Sequence, residues 1–270
     1  MQQYKTRSAD GTHLQLYRWN EKGETDLFLI HSYAQHSLRL RECAEFFSEN
    51  GYRVTAMDLR GHGLSGGRIG HTDMWLRYTE DILAGISTIG RPFYTLAHGM
   101  GGVAMLRTMQ GSIAPRLKGV ILSNPILGLV RPIGRIQQRL LSGLSKLRPH
   151  QTVKMQFSER HLARNPALIE SYQSDPLCFD FMTLGWARQF LRAMPAVMRH
   201  AQLYTYPMLL IGSQNDSIAA APATQEFAKK YGSQIDFKVF ERHYHAILED
   251  DEKEDVFHTI ATWISNRESP

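Results

Sequence analysis

Cysteine is scarce in this sequence: only Cys43 and Cys178 are present among 270 residues. One disulfide is therefore the most it could form, which excludes a small fold stapled by several bridges. Each cysteine lies within or beside an apolar stretch, the placement of a buried free thiol in a reducing compartment, and neither has the spacing of a metal site. No apolar run reaches the about 18 residues expected of a membrane span. The opening Met1-Gln2-Gln3-Tyr4-Lys5-Thr6-Arg7 has no apolar signal core, so a cytoplasmic location is expected. Internal repeats, low-complexity segments and nucleic-acid-binding motifs are all missing, and no nucleic-acid partner, metal or organic cofactor is implied.

What is present is an ordinary globular composition, 43% hydrophobic and 21% charged. The net charge of +5 is modest but unevenly placed. From Arg131 to Arg164 the Lys and Arg residues face a single acid, Glu159, whereas Glu249 to Asp255 is mostly acidic. A basic surface of that kind can meet an anionic lipid headgroup, or simply solvate its segment.

Short apolar runs alternate with amphipathic stretches of helical length, the signature of parallel βαβ units. Strands are expected at Leu14–Trp19, Leu27–Ile30, Val54–Met57, Phe93–Ala97, Gly119–Leu122, Met208–Ile211 and Phe237–Phe240. Helices are expected at Arg41–Asn50, closed by Gly51, at Asp73–Ile89, and from Asp251 to Ser265. Residues 1–124 and 208–270 thus form an α/β core. Between Pro125 and Pro207 the alternation stops and helical spacing takes over, punctuated by Pro132, Pro149, Pro166 and Pro176. Residues 125–207 are expected to form a helical cap over the sheet edge where such folds bind ligands. Within it, Ile133, Ile136, Leu140, Leu141, Leu144 and Leu147 share one helix face, and Trp186, Phe190 and Met194 share another.

The chemistry concentrates after the strand at Phe93–Ala97. A nucleophile elbow reads G-x-S-x-G, with small flanking residues because strand and helix approach closely. Here the turn is Ala97-His98-Gly99-Met100-Gly101-Gly102: the context is right, and glycine stands at the nucleophile position. Two further residues follow in the order that such hydrolases use. Asp216 comes just past the strand Met208–Ile211, where a carboxylate can orient an imidazole. His245 follows the last strand in Arg242-His243-Tyr244-His245, with His243 as the rival imidazole.

With these residues in place, the chain resembles the monoacylglycerol lipase and lysophospholipase group of α/β hydrolases, also grouped as serine aminopeptidase-like. The resemblance is carried by Asp10-Gly11-Thr12 with Leu14, by His31-Ser32-Tyr33-Ala34-Gln35-His36-Ser37, by Met57-Asp58-Leu59-Arg60-Gly61-His62-Gly63-Leu64-Ser65, by the elbow, and by the Asp216 and His245 segments. The cap matches only loosely, through Tyr172 and Asp175-Pro176-Leu177. The resemblance implies an α/β-hydrolase fold, a mostly parallel doubly wound sheet with a helical cap, and an ancestry in carboxylic-ester hydrolysis of monoacylglycerols or lysophospholipids. It also implies an oxyanion hole built from the Tyr33 and Met100 N–H groups. Where the family has His-Gly, this chain has His31-Ser32, with His31 a packing residue of the loop and His62 a structural one.

A glycine at 99 leaves His245 no hydroxyl to deprotonate at the elbow, so no acyl-enzyme forms there. Losing the nucleophile of a comparable hydrolase costs about 10⁶ in kcat. Ser32 would have to act from the oxyanion loop and Cys178 from the cap, so neither is expected to substitute, and the chain as it stands is expected to be inactive. The retained Asp216 and His245 fit a recent or deliberate loss, whereas Ser32 fits natural divergence. Three functions follow: a hydrolase lineage that has lost its nucleophile, a non-catalytic acyl-binding or sensing protein, or serine-independent chemistry with His245–Asp216 as general base. The basic cap adds an expected peripheral contact with anionic membrane.

Overall fold

A computed structural model describes residues 1–111, 116–155, 162–232 and 234–268. Its centre is an eight-stranded sheet of order β1-β2-β4-β3-β5-β6-β9-β10. The strands are β1 (Gln2–Arg7), β2 (His13–Trp19), β3 (Thr25–Ile30), β4 (Tyr52–Met57), β5 (Phe93–His98), β6 (Leu117–Ser123), β9 (Met208–Ser213) and β10 (Ile235–Phe240). β1 and β2 run antiparallel to their neighbours, and every pairing from β4 to β10 is parallel.

The two faces of the sheet can be read from the side-chain alternation of β3. Phe28 and Ile30 face a core shared with α2 (Leu76–Ser87) and α3 (Met100–Met109), through Ile82 and Val103. Leu27 and Leu29 face the opposite core, shared with α1 (Arg41–Glu49) and α8 (Lys253–Glu268), through Phe47, Phe257 and Trp263. A strand apolar on both faces is what a parallel sheet covered by helices on both sides requires. The sheet is doubly wound, as the sequence implied.

Between β6 and β9 lies the cap: α4 (Arg135–Leu147), α5 (Pro166–Ser174) and α6 (Leu184–Arg199). It also contains a short antiparallel pair, β7 (Thr152–Lys154) with β8 (Phe181–Thr183), so it is not purely helical. The expected face of Trp186, Phe190 and Met194 is buried within α6, which continues through Pro195. Tyr33 stacks on Trp186 with ring centroids 3.7 Å apart, and Trp186 Nε1–H donates to Tyr78 Oη at 3.1 Å, fixing α6 to the core. The face expected on α4 divides. Leu141 packs against the core, whereas Ile136 is 75% exposed and Leu147 81%, with Leu140 and Leu144 also exposed. Glu159 and Arg160 of the basic stretch lie outside the described residues. No helix of the described residues is long and apolar enough to cross a membrane.

Candidate active site

β5 is buried throughout and runs through Gly99 straight into α3. Gly99 has φ +54° and ψ −118°, a conformation L side chains rarely adopt, and it is where a strained elbow holds its nucleophile. Gly101, two residues on, is small for a different reason. A Cβ there would strike the His31 carbonyl oxygen and come within 2.8 Å of Ile30 Cγ2, so only glycine lets α3 start against the end of β3. The elbow is therefore complete as backbone, with no side chain at its tip.

Asp216 and His245 meet as the sequence placed them. The His245 Nδ1–H donates to Asp216 Oδ2 at 2.7 Å, and their side chains are only 2% and 3% exposed. The other carboxylate oxygen accepts from the Ile218 and Ala219 N–H groups at 2.8 and 2.9 Å, so the loop after β9 fixes the carboxylate before it fixes the imidazole. With Nδ1 engaged, Nε2 is the ring nitrogen left to accept a proton. His243 turns away: its Nε2 pairs with the Glu252 carbonyl at 3.2 Å and its ring lies against Phe240.

The loop after β3 is bolted down by His31. Its Nε2 accepts the Leu59 N–H at 2.9 Å, which makes Nδ1 the protonated nitrogen, and Nδ1–H donates to the Ser32 carbonyl at 2.6 Å. Burial pushes the His31 pKa down to about 3, so the ring stays neutral and structural. His62 behaves alike: burial lowers it to about 3, and it packs 5.3 Å from His31.

Ser32 differs from what its loop position suggests. Its Oγ accepts the Met100 N–H at 3.1 Å, so one of the two implied oxyanion donors is already engaged. A Cβ built on Gly99 would overlap Ser32 Oγ, stand 2.8 Å from Ser32 Cβ and lie 3.2 Å from His245 Nε2. The Ser32 hydroxyl thus occupies the elbow space that the sequence leaves empty at 99. The Tyr33 N–H makes no hydrogen bond among the described residues.

In front of these groups is a cavity of about 300 Å³, lined by Ser32 and His245 together with Ile126, Leu162, Phe179 and Ile218. Ile218 also lines a second, more apolar cavity of about 240 Å³ beneath the cap, bordered by Leu129, Ile133, Leu141 and Met182. The cap is latched beside the first cavity. Arg39 Nη2–H donates to Ser171 Oγ at 3.0 Å, Gln35 donates to Tyr172 Oη at 2.7 Å, and His36 Nε2 pairs with Asp175 at 2.8 Å, while Arg39 Nε–H also holds Glu249 of the core at 2.8 Å. Burial raises Glu249 above the usual carboxylate range, with Arg39 opposing the shift.

His36, Asp175 and Cys178 lie close enough to hold a cation. However, Arg39 already stands 3.9 Å from Asp175, and burial pushes the Cys178 thiol up to about 12. Chemically the cluster suits a hydrogen-bonded latch better than a metal centre, and the same protonated thiol makes Cys178 a poor nucleophile. Both cysteines are free.

One residue that the sequence reading passed over is central to the site. Asn124, at φ +43° just beyond β6, donates from Nδ2 to the His245 carbonyl at 2.8 Å and to Ser213 Oγ at 2.7 Å. Its Oδ1 accepts the Ser213 N–H at 2.7 Å. It ties the histidine loop to the strand that carries Asp216. The only sequence signal was an Asn before Pro125, which reads as a turn.

Two lipid-hydrolase relatives are similar to this chain along most of its length. A Bacillus subtilis phospholipase, YtpA, is 26% identical over 236 residues, covering 86% of this chain and 91% of that protein. A monoacylglycerol lipase of Mycolicibacterium smegmatis is 26% identical over 244 residues, 87% of this chain and 86% of its own. By contrast, the chain spans only 28% of an uncharacterized abhydrolase domain-containing protein of Dictyostelium discoideum, to which it is 26% identical over 266 residues. The crystal structure of Paleococcus ferrophilus monoacylglycerol lipase superposes with a TM-score of 0.86 at 23% identity, over 99% of this chain and 100% of that one. Residues 22–252 match the family described as serine aminopeptidase, S33, so this chain is a member of that family, of lipase and esterase lineage on the α/β-hydrolase fold.

Proposed function

We propose that the chain binds monoacyl esters, monoacylglycerols or lysophospholipids, with the ester carbonyl at the His245 end of the first cavity and the acyl chain running past Ile218 into the second. No acyl-enzyme forms through residue 99. The observation that carries this reading is the intact 2.7 Å His245–Asp216 bond opening onto a cavity whose lining mixes polar groups with Ile126, Leu162, Phe179 and Ile218. The lipase and phospholipase names of the relatives support the substrate class. Titration with a non-hydrolysable 1-O-alkylglycerol tests it. The native chain is expected to bind with affinity rising with chain length, and Ile218→Trp, at the residue that lines both cavities, to weaken binding at least about tenfold, or 1.4 kcal/mol. No binding at any chain length would remove the proposal. The second reading, a binding or sensing protein without turnover, is favoured by Gly99 itself.

The exposed Ile136, Leu140, Leu144 and Leu147 of α4, accompanied by exposed Arg135, Arg139, Lys146 and Arg148, also support peripheral docking on anionic lipid. Each basic side chain contributes about 1 kcal/mol at such a surface. Sedimentation with vesicles containing phosphatidylserine should therefore be salt-sensitive and be lost in Arg135→Glu/Arg139→Glu. No sedimentation with those vesicles, or sedimentation unchanged by the reversal, would leave α4 as a soluble helix.

A further inference from the structure

We propose that Ser32 is the nucleophile of this site, its hydroxyl supplied to the elbow from the loop after β3 rather than from the elbow's own tip. The inference rests on the acyl-ester reading above and reverses the expectation, drawn from sequence alone, that Ser32 stands in the wrong loop to act. What reverses it is position. A side chain on residue 99 would start from a point that Ser32 Oγ already overlaps and that lies 3.2 Å from His245 Nε2. Hydroxyl and base therefore flank the same point, and both line the cavity in which the ester is proposed to sit.

Glycine at 99 and serine at 32 are also sterically linked. A serine at both positions would place two side chains in one volume, whereas the exchange leaves one hydroxyl there. That hydroxyl is in an activating environment. The Met100 N–H that donates to it at 3.1 Å is the first turn of α3, where unpaired backbone donors and the helix dipole favour developing negative charge on oxygen. His245 is held by Asp216 with Nε2 free to take a proton. Ser32 and His245 are not hydrogen-bonded to each other here, and such bonds commonly close only with substrate in place. A hydroxyl that merely filled space would need neither the oriented imidazole nor access to the cavity.

Ser32 Oγ bonds to the ester carbonyl carbon while its proton passes to His245 Nε2, and the carbonyl π pair moves onto oxygen, beside the Tyr33 N–H, while the Met100 N–H stays on Ser32 Oγ. Collapse breaks the bond to the alcohol oxygen, which leaves with the proton from His245, and Ser32 carries the acyl group. Water then gives a proton to His245, attacks the acyl carbon and releases the acid, and Ser32 Oγ recovers its proton from His245.

Labelling of the native chain with a fluorophosphonate, followed by intact mass and peptide mapping, tests this. The expected result is a single adduct on Ser32, absent in Ser32→Ala and formed at least about 100-fold more slowly in His245→Ala. An adduct on any other residue, or none on the native chain, overturns the proposal. The Ser32→Gly/Gly99→Ser variant serves as the positive control, because labelling at its residue 99 would show that the His245–Asp216 pair is competent when the native chain is silent. Alkylglycerol binding by Ser32→Ala separates the two readings. Binding without labelling of the native chain removes Ser32 and keeps the ligand class, and Ser32 labelling without binding does the opposite.

Discussion

Side chains at residues 32 and 99 exclude one another, because a Cβ on Gly99 would overlap Ser32 Oγ. Gly99→Ser introduces two separate penalties. Its Cβ would stand 2.8 Å from Ser32 Cβ and overlap Ser32 Oγ, and overpacking of a rigid buried site costs about 1–3 kcal/mol. Its backbone at φ +54° and ψ −118° is one that a non-glycine residue holds only under strain, at about 1–3 kcal/mol more. The single variant should therefore lose about 2–6 kcal/mol in a urea melt followed by circular dichroism. Ser32→Gly removes the first penalty and leaves the second, so the double variant should recover about 1–3 kcal/mol relative to Gly99→Ser alone. Two residues in one volume must couple, and the cycle measures that coupling. Strict additivity, with the double variant losing the sum of the two single losses, would show that Ser32 does not occupy the elbow space.

Acid should destabilise the chain through its buried imidazoles. His31 and His62 sit near 3 in the folded protein against an ordinary 6.5, so the stability they confer is complete above 6.5 and is lost as pH falls toward 3, because only the unfolded chain protonates them there. By pH 5 the loss is on the order of 2 kcal/mol for each, and a urea midpoint equal at pH 8 and pH 5 would contradict it. Truncating Arg39 to Ala leaves the buried Glu249 carboxylate unpaired beside Tyr172, a loss of about 3–5 kcal/mol that Arg39→Ala/Glu249→Gln should largely recover. Limited proteolysis should then cut the single variant first in the cap. Protection equal to that of the native chain would mean that the latch does not hold it.

Much of this was legible in the sequence, for identifiable reasons. Strands such as β3 and β5 are continuous apolar runs because both of their faces are covered, and Asp216 and His245 follow strand ends in a fixed order. β1 was missed because its Gln2–Arg7 sequence is polar and its ladder to β2 is a tertiary fact, and α7 (Ala221–Tyr231) lacked a strong apolar stripe. The β7–β8 pair is too short, at three residues a strand, to show a period. The motif Asp58-Leu59-Arg60 is scaffolding: Asp58 accepts the Ser37 and Leu64 N–H groups at 2.7 and 2.9 Å, and Arg60 bridges Asp10 and Asp81. The elbow was readable as a turn, but the reach of the Ser32 hydroxyl into it was not. Residues 32 and 99 belong to different βα connections, and only the packing of α3 against the end of β3 brings them together.

By the proposal above, the working hydroxyl of this site has passed from residue 99 to residue 32. Steady-state hydrolysis of a 4-nitrophenyl ester by the native chain, Ser32→Gly and Ser32→Gly/Gly99→Ser, each shown to be folded, tests it most directly. Turnover by the native chain, a loss of at least about 100-fold in kcat/KM for Ser32→Gly, and recovery in the double variant are expected. Turnover unchanged by Ser32→Gly, or turnover that appears only in the double variant, would contradict it.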